Sequence, residues 1–495
     1  MSLRLQLCIC LVVVVVSLFS CGNGSKSGDS IGVDSAGELD LRAVDSAQET
    51  RDSDMARGET SSDTARDSNP ALPGLEVVAT AGCGAPAYEL LPPSGLGKVV
   101  VVEHMPSLSI KGPQIDTMAA AAGVTAFSPV PYDVEVFRFR YTTQDRGKEV
   151  EATALMAFPK LSEKAEIPTV AWMHQTTGME DFCAPSGRGL LWAMPAIILA
   201  SLGQAVVAPD YLGQNGFGDE SEQYHPYFIG EPSALATLDS LRALWAFAKS
   251  DDAALVTGLP SHKVVLAGGS QGGSVAMWAQ RYVDVYLPEA DVEAVVAIAP
   301  ATNLLGMLES GTKQLSVGGI GMAMTLMLAK DWYSGTASLE EVLTPEAVVF
   351  VRNIIDTQCP KAELPPEVTA LTDVFSAQLI QAVAVGTFDK MEPWYCYFAE
   401  NTLALSAVPL VRHAPVLYIT GELDDISITE VQRPDVERLC QQGYKIEHVE
   451  CAGMGHFDTA LSAMPLAWDW VKEIRAGAQI RADKLCTISA PSQCK

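Results

Sequence analysis

The residues with the clearest chemical potential form the run Gly268-Gly269-Ser270-Gln271-Gly272-Gly273. A dinucleotide loop needs glycines at i, i+2 and i+5, and a triphosphate loop needs Gly-Lys-Ser/Thr; this run has neither the spacing nor the lysine. It does contain Gly-x-Ser-x-Gly between an apolar run and a helical one. That pattern places the serine on a sharp strand-to-helix turn, where small residues two positions to either side relieve a backbone clash. The hydroxyl is then presented above the strand ends, and the backbone N–H of Gln271 points at the same place. The chemistry is nucleophilic attack by a serine oxygen. Such a hydroxyl is weak near neutral pH and needs a histidine base, itself oriented by a carboxylate.

For a serine on this kind of turn the partners follow in the order serine, carboxylate, histidine. Downstream of Ser270 stand His413, His448 and His456. His413 precedes a strand-like run and His448 lies inside one, whereas His456 occupies the Gly-rich loop "CAGMGHFD" after "YKIEHVE". The carboxylate belongs at the end of the preceding strand, where "VLYITGELDD" offers Glu422, Asp424 and Asp425. The Gly-x-x-Asp turn favours Asp424, with Asp425 in reserve. A second N–H donor for an oxyanion belongs in the loop after "PTVAWMH". Gln175 or Thr176 would supply it beside Gln271, with His174 as a brace rather than a base.

These residues need a scaffold that brings strand ends together. "PTVAWMH", "QAVVAPD", "KVVLAGG", "VEAVVAIAP" and "APVLYITG" are continuously apolar, as strands buried on both faces of a parallel sheet are. Helical segments fall between them, so the pattern predicts a doubly wound α/β sheet. "DVEVFRFRYTT" and "EVEATALMAFP" alternate apolar and polar residues, which predicts a half-buried antiparallel hairpin at a sheet edge. Residues 304–410 are too long for a connection and contain Gly-broken apolar helical pieces; they read as an inserted helical cap. The expected organisation is a core of 73–303 and 411–495 around that cap.

The N-terminus reads as an export signal over residues 1–21, with Arg4 before the apolar run "LCICLVVVVVSLF". The run ends in "LFSC", which resembles a bacterial lipobox and makes Cys21 the expected lipidation site. Without lipidation the same segment would serve as an ordinary secretion signal. Residues 22–72 lack aromatic residues and are dominated by Ser, Asp, Gly, Thr and Arg, so they read as a disordered acidic tether. The net charge of −27 argues against nucleic acid as a partner. Eight cysteines remain beyond Cys21, an even number that fits disulfides in an exported protein. By sequence proximity the cheapest pairs are Cys440–Cys451 and Cys486–Cys494. None has C-x-x-C spacing, so no metal or other cofactor is expected.

At "MHQTTG", "CAPS", "VVAPDYLGQNGFGDESEQYHPYFIGEPSALATLDSLRAL", "GGSQGG" and "GMGH" the chain resembles the secretory lipases, the lipase A-like branch of the α/β-hydrolases. The resemblance spans roughly residues 100–475. Gln175 stands where the family usually has glycine. The resemblance implies an α/β-hydrolase fold, a triad of Ser270, Asp424 and His456, and a lid over an acyl-binding pocket. It implies a lipase or esterase acting on ester or lipid substrates. An N-terminal anchor would put it in contact with a membrane, at a bacterial outer membrane or cell surface, or else it is secreted. A serine peptidase or acyltransferase on the same scaffold, or a non-catalytic surface lipoprotein, are the alternatives.

Overall fold

A computed structural model describes residues 82–121, 126–359 and 363–494. The export signal with Cys21 and the tether over 22–72 lie outside the described residues. In chain order the elements begin with β1 (Val99–His104), α1 (Gly112–Ala121), β2 (Val134–Asp145), β3 (Lys148–Pro159), β4 (Ala165–Met173), α2 (Leu190–Ser201) and β5 (Ala205–Pro209). Next come α3 (Gly230–Phe247), β6 (Gly258–Gly269), α4 (Gln271–Tyr286) and β7 (Asp291–Ile298). Five helices follow: α5 (Leu304–Gly311), α6 (Val317–Trp332), α7 (Pro345–Thr357), α8 (Ala377–Ala384) and α9 (Trp394–Glu400). The chain closes with β8 (Pro415–Gly421), α10 (Thr429–Gln441), β9 (Lys445–Cys451), α11 (His456–Ser462) and α12 (Met464–Arg475).

The continuously apolar runs all become strands, and β6 shows why. Val264 and Leu266 enter one apolar layer, with α3, α4 and α10; Val265 and Ala267 enter the other, with α2 and α12. A strand covered on both faces has no position for a polar residue, so its sequence loses alternation. The sheet order is β1-β2-β3-β5-β4-β6-β7-β8-β9. From β5 to β9 every neighbouring pair is parallel. The chain steps from β4 outward to β5 and then back across β4 to β6. The crevice above the carboxyl ends of β4 and β6 is therefore the topological switch point, where open α/β sheets bind ligands.

The hairpin departs from its expected place. β2 and β3 pair antiparallel across the two-residue turn Arg146-Gly147, both at positive φ, but β1 pairs outside β2 and takes the edge. Nor does burial follow the alternation: along β2 only Arg138 and Arg140 are partly exposed, and in β3 exposure is confined to Lys148–Glu151 beside the turn. α3 packs against one face of the hairpin and α2 against the other. The polar residues of the alternation are satisfied in the interior instead, as Thr143 is by donating to Asp239 Oδ2 at 2.7 Å.

The disulfides also correct the reading by proximity. They join Cys83–Cys396, Cys183–Cys359, Cys440–Cys486 and Cys451–Cys494. Cys440 ends α10 and Cys451 ends β9, so the whole of β9 separates them. The C-terminal segment lies alongside β9 and follows its direction: the N–H of Cys486 donates to Ile446 O at 2.7 Å and that of Ser492 to Glu450 O at 2.8 Å. Its two cysteines therefore lie at opposite ends of the strand, and each bonds the partner at its own end.

The five helices between β7 and β8 gather a third apolar cluster from Met322, Met324, Met327, Trp332, Trp394 and their neighbours. This cluster also takes in Met179, Tyr227 and Ile229 from loops of the sheet domain. Trp332 donates its indole N–H to Asp145 Oδ1 at 2.9 Å, and Asn401 Oδ1 accepts the Gly230 N–H at 2.9 Å. With Cys83–Cys396 and Cys183–Cys359 these contacts bind the segment between β7 and β8 to the rest of the fold.

Candidate active site

Ser270 sits between β6 and α4 with φ 55° and ψ −122°. A non-glycine residue held in such a conformation stores about 1–3 kcal/mol of strain. Two of the surrounding glycines make it possible. A Cβ on Gly272 would lie 2.1 Å from Met173 O, and one on Gly268 would lie 2.4 Å from the Gly272 carbonyl. Gly269 is different: its nearest neighbour would be Ile298 O at 3.9 Å, ordinary contact. The required small residues are thus the ones two positions to either side of the serine.

The three residues predicted from spacing meet at the strand ends. His456 Nε2 lies 2.8 Å from Ser270 Oγ, and His456 Nδ1 lies 2.8 Å from Asp424 Oδ2. Asp424 Oδ1 accepts the N–H groups of Ile426 at 3.0 Å and Ser427 at 2.8 Å. Both the aspartate and the imidazole are buried. With a carboxylate on Nδ1, the proton of a neutral imidazole sits there, which leaves the Nε2 lone pair facing the serine hydroxyl.

Asp424 and His456 come from separate strands, β8 and β9, and the main chain laces their loops together. Leu423 N–H donates to Met454 O at 2.9 Å, Glu422 N–H to Cys451 O at 3.0 Å, and Gly453 N–H to Glu422 Oε2 at 2.7 Å. Asp425 is exposed on the same turn, whereas Asp424 is the buried carboxylate that reaches the imidazole. His448 is a satisfied strand residue: it accepts the Ser489 N–H on Nδ1 at 3.1 Å and faces Thr420 Oγ1 through Nε2 at 3.1 Å. Burial pushes it down to about 4.

On the other side of the crevice, Met173 at the end of β4 pairs with Gly268 at the end of β6. Gln175 and Thr176 leave β4 directly beside the serine turn. Gln271 opens α4, whose first N–H groups have no partner inside the helix. His174 is buried and faces two carbonyls, Gln175 O at 2.6 Å and Asp210 O at 3.3 Å. Burial pushes it down to about 4, which leaves the ring neutral at neutral pH. Thr176 Oγ1 is held by the Tyr227 hydroxyl at 2.9 Å, while Gln175 is exposed.

Two residues near this crevice escaped the sequence reading. Asp210, fully buried, accepts Ser186 N–H at 2.9 Å and Thr153 Oγ1–H at 2.6 Å, which ties the loop after β4 to β3 and β5. Burial raises its carboxyl to about 6. His225, also fully buried, touches the Gln271 side chain. The string "PDYLGQNG…HPYF" carried both, but only as part of a family pattern. Among the described residues, Cys83, Cys396 and Glu400 lie close enough together to share a metal ion. The two cysteines are bonded to each other, so neither offers a thiolate.

Comparison with known proteins bears on the family and the fold. The sequence profile described as "Secretory lipase" matches residues 194–481. No curated protein matches the chain in sequence. Among solved structures, the rice cell wall degrading esterase LipA from Xanthomonas oryzae aligns with a TM-score of 0.62 at 20% identity, covering 77% of this chain and 97% of that one. Candida antarctica lipase A in its closed state aligns with a TM-score of 0.59 at 17% identity, covering 80% of this chain and 86% of that one. The fold is that of the α/β-hydrolases.

Proposed function

The chain belongs to the secretory lipase family and is a carboxylic ester hydrolase; on that footing we propose that it works through an acyl-enzyme formed on Ser270. The observation that carries the reading is the continuous contact Asp424–His456–Ser270, at 2.8 Å in each link. Ser270 Oγ attacks the ester carbonyl while His456 Nε2 takes its proton. Asp424 holds the imidazole tautomer and stabilises the imidazolium. The N–H of Gln271, with that of Gln175 or Thr176, binds the oxyanion. The tetrahedral intermediate collapses, and His456 returns the proton to the departing alcohol. Water, deprotonated by the same imidazole, then attacks the acyl-enzyme and releases the carboxylic acid.

The rest of the organisation belongs to the same proposal. Residues 304–410 form a helical cap that shapes the acyl side of the crevice, between core segments 73–303 and 411–495. Residues 1–21 export the chain, Cys21 carries a lipid anchor, and 22–72 tether the enzyme at a bacterial outer membrane or cell surface. The four disulfides fit an oxidising compartment.

The decisive experiment pairs a fluorophosphonate probe with p-nitrophenyl esters of graded chain length. Labelling should map to Ser270, and Ser270→Ala should lose both labelling and turnover. Hydrolysis that survives the substitution would end the acyl-enzyme reading. Mass spectrometry of the mature N-terminus should find a diacylglyceryl group on Cys21; an unmodified terminus elsewhere would end the anchor.

A further inference from the structure

The mechanism above uses the backbone of Gln271 and leaves its side chain without a role. That side chain is buried, and its amide nitrogen lies 2.5 Å from Nε2 of His225. The other ring nitrogen of His225, Nδ1, lies 2.9 Å from Leu212 O. A carbonyl oxygen only accepts, so Nδ1 carries the proton. Burial pushes His225 down to about 3, which keeps the ring neutral across the working range. Nε2 is therefore a lone pair, and it accepts the Gln271 Nε2–H.

His225 does not stand alone. Its ring stacks on Tyr211, with centroids 5.5 Å apart and planes 17° apart. Tyr211 packs in turn on His174 at 4.3 Å and donates its hydroxyl to His174 O at 3.0 Å. His174 immediately precedes Gln175 and Thr176. A buried row of three rings thus runs from Gln271 to the segment on the far side of the oxyanion site. The backbone around the row is closely set: Tyr211, the middle ring, sits at φ 70°, and a Cβ on Gly213 would come within 2.3 Å of His225 N.

We propose that His225 is a positioning residue for the oxyanion site. The peptide between Ser270 and Gln271 is held in a strained conformation, and its relaxation would swing the Gln271 N–H away from the carbonyl under attack. The hydrogen bond from the Gln271 side chain to His225 opposes that relaxation. The ring row fixes the spacing between this N–H and the donor after β4. His225 and Tyr211 are fully buried and act through Gln271 and the segment after β4. The proposal rests on the acyl-enzyme reading of Ser270.

The test is steady-state kinetics on p-nitrophenyl acetate with His225→Leu, Gln271→Leu, the double variant and His225→Gln, alongside Ser270→Ala. Each single leucine variant should lower kcat about 10- to 100-fold, below the 10²–10³ for deleting an oxyanion donor outright, with KM within about twofold. The double variant should be no worse than either single one, because both remove one interaction. His225→Gln, whose amide oxygen can replace the Nε2 lone pair, should recover most of the rate. The pH–rate profile should keep its wild-type midpoints. Unchanged kcat in both leucine variants would overturn the proposal, as would losses that multiply in the double. Should His225→Leu fail to fold, Gln271→Met decides, since it keeps the volume and removes the donor: a comparable kcat loss supports the proposal and a wild-type kcat overturns it. Hydrolysis that survives Ser270→Ala would sink the underlying reading as well; loss there with no effect at His225 and Gln271 would sink this inference alone.

Discussion

The strand ends and the helical insertion hold their residues in place by different means. At the strand ends, position comes from the main chain. Ser270 follows β6, Asp424 follows β8 and His456 follows β9, and the links between their loops are largely backbone N–H groups and carbonyls. A single Cβ at Gly272 is too much there. In the insertion, position comes from side chains and covalent bonds: a methionine- and aromatic-rich cluster, two disulfides to the sheet domain, and clamps such as Trp332 to Asp145. Methionine fills irregular space and tolerates repacking. Under the proposed function, this contrast makes the rate of the reaction depend on topology and the shape of the substrate site on the packing of the five helices.

Changes at the strand ends should therefore act on kcat for all acyl lengths alike, and changes in the insertion should act on KM and on chain-length preference. The largest effect belongs to the triad. His456→Ala should cost about 10⁶ in kcat and Asp424→Asn about 10⁴, equally for acetyl and long-chain esters. Asp425→Asn, on the exposed neighbour, should stay near wild type. A chain-length-dependent loss at Asp424 would break the contrast. Next comes Cys183→Ser with Cys359→Ser, which frees the insertion from the loop after β4. Denaturant unfolding should show a loss of about 2–4 kcal/mol, and KM should shift more than kcat.

Gly272→Ala should follow, at about 1–3 kcal/mol of overpacking, with activity lost in step. Gly269→Ala, whose new Cβ meets only ordinary contact at 3.9 Å, should change stability by no more than about 0.5 kcal/mol. Equal costs at the two glycines would remove the backbone argument. The smallest effect concerns Glu231, at the seam between the two regions. It accepts the Tyr88 hydroxyl at 2.7 Å. Burial, aided by the charges of Asp145 and Glu400, raises it from an ordinary 4.5 to about 8. The fold thus binds this proton more tightly than the unfolded chain does. Its contribution is complete below pH 4.5 and is lost as pH rises through 8. Glu231→Gln should gain on wild type by about 2–4 °C in melting temperature between pH 5 and pH 8.5. A constant difference across that range would contradict the assignment.

The parallel half of the sheet was legible in the sequence because burial on both faces removes polar residues from a strand altogether. The order Ser270, Asp424, His456 was legible because each residue ends a strand, and chain order then dictates spatial order along the crevice. The turn spacing even separated Asp424 from Asp425. Other features depend on contacts that local patterns do not encode. The alternation of β2 and β3 describes a hairpin but not what covers its faces, so α2 and β1 were invisible from it. Cys440 and Cys451 are close in sequence, yet an intervening extended strand drives them apart. His225 precedes Gln271 by 46 positions and lies in an ordinary loop string. Its role depends on a neutral tautomer fixed by Leu212 O, which only the folded chain supplies.

The C-terminal segment that lies along β9 affects how the molecule behaves in bulk. An edge strand with unpaired N–H and C=O groups is a template for another chain. Here the template is occupied, and a disulfide staples its cover at each end. Reduction would let the cover peel away and leave β9 open to strand exchange between molecules. Colloidal solubility is then a redox property of this protein. The end of β9 is also the start of the loop that carries His456, so self-association and loss of turnover should set in together.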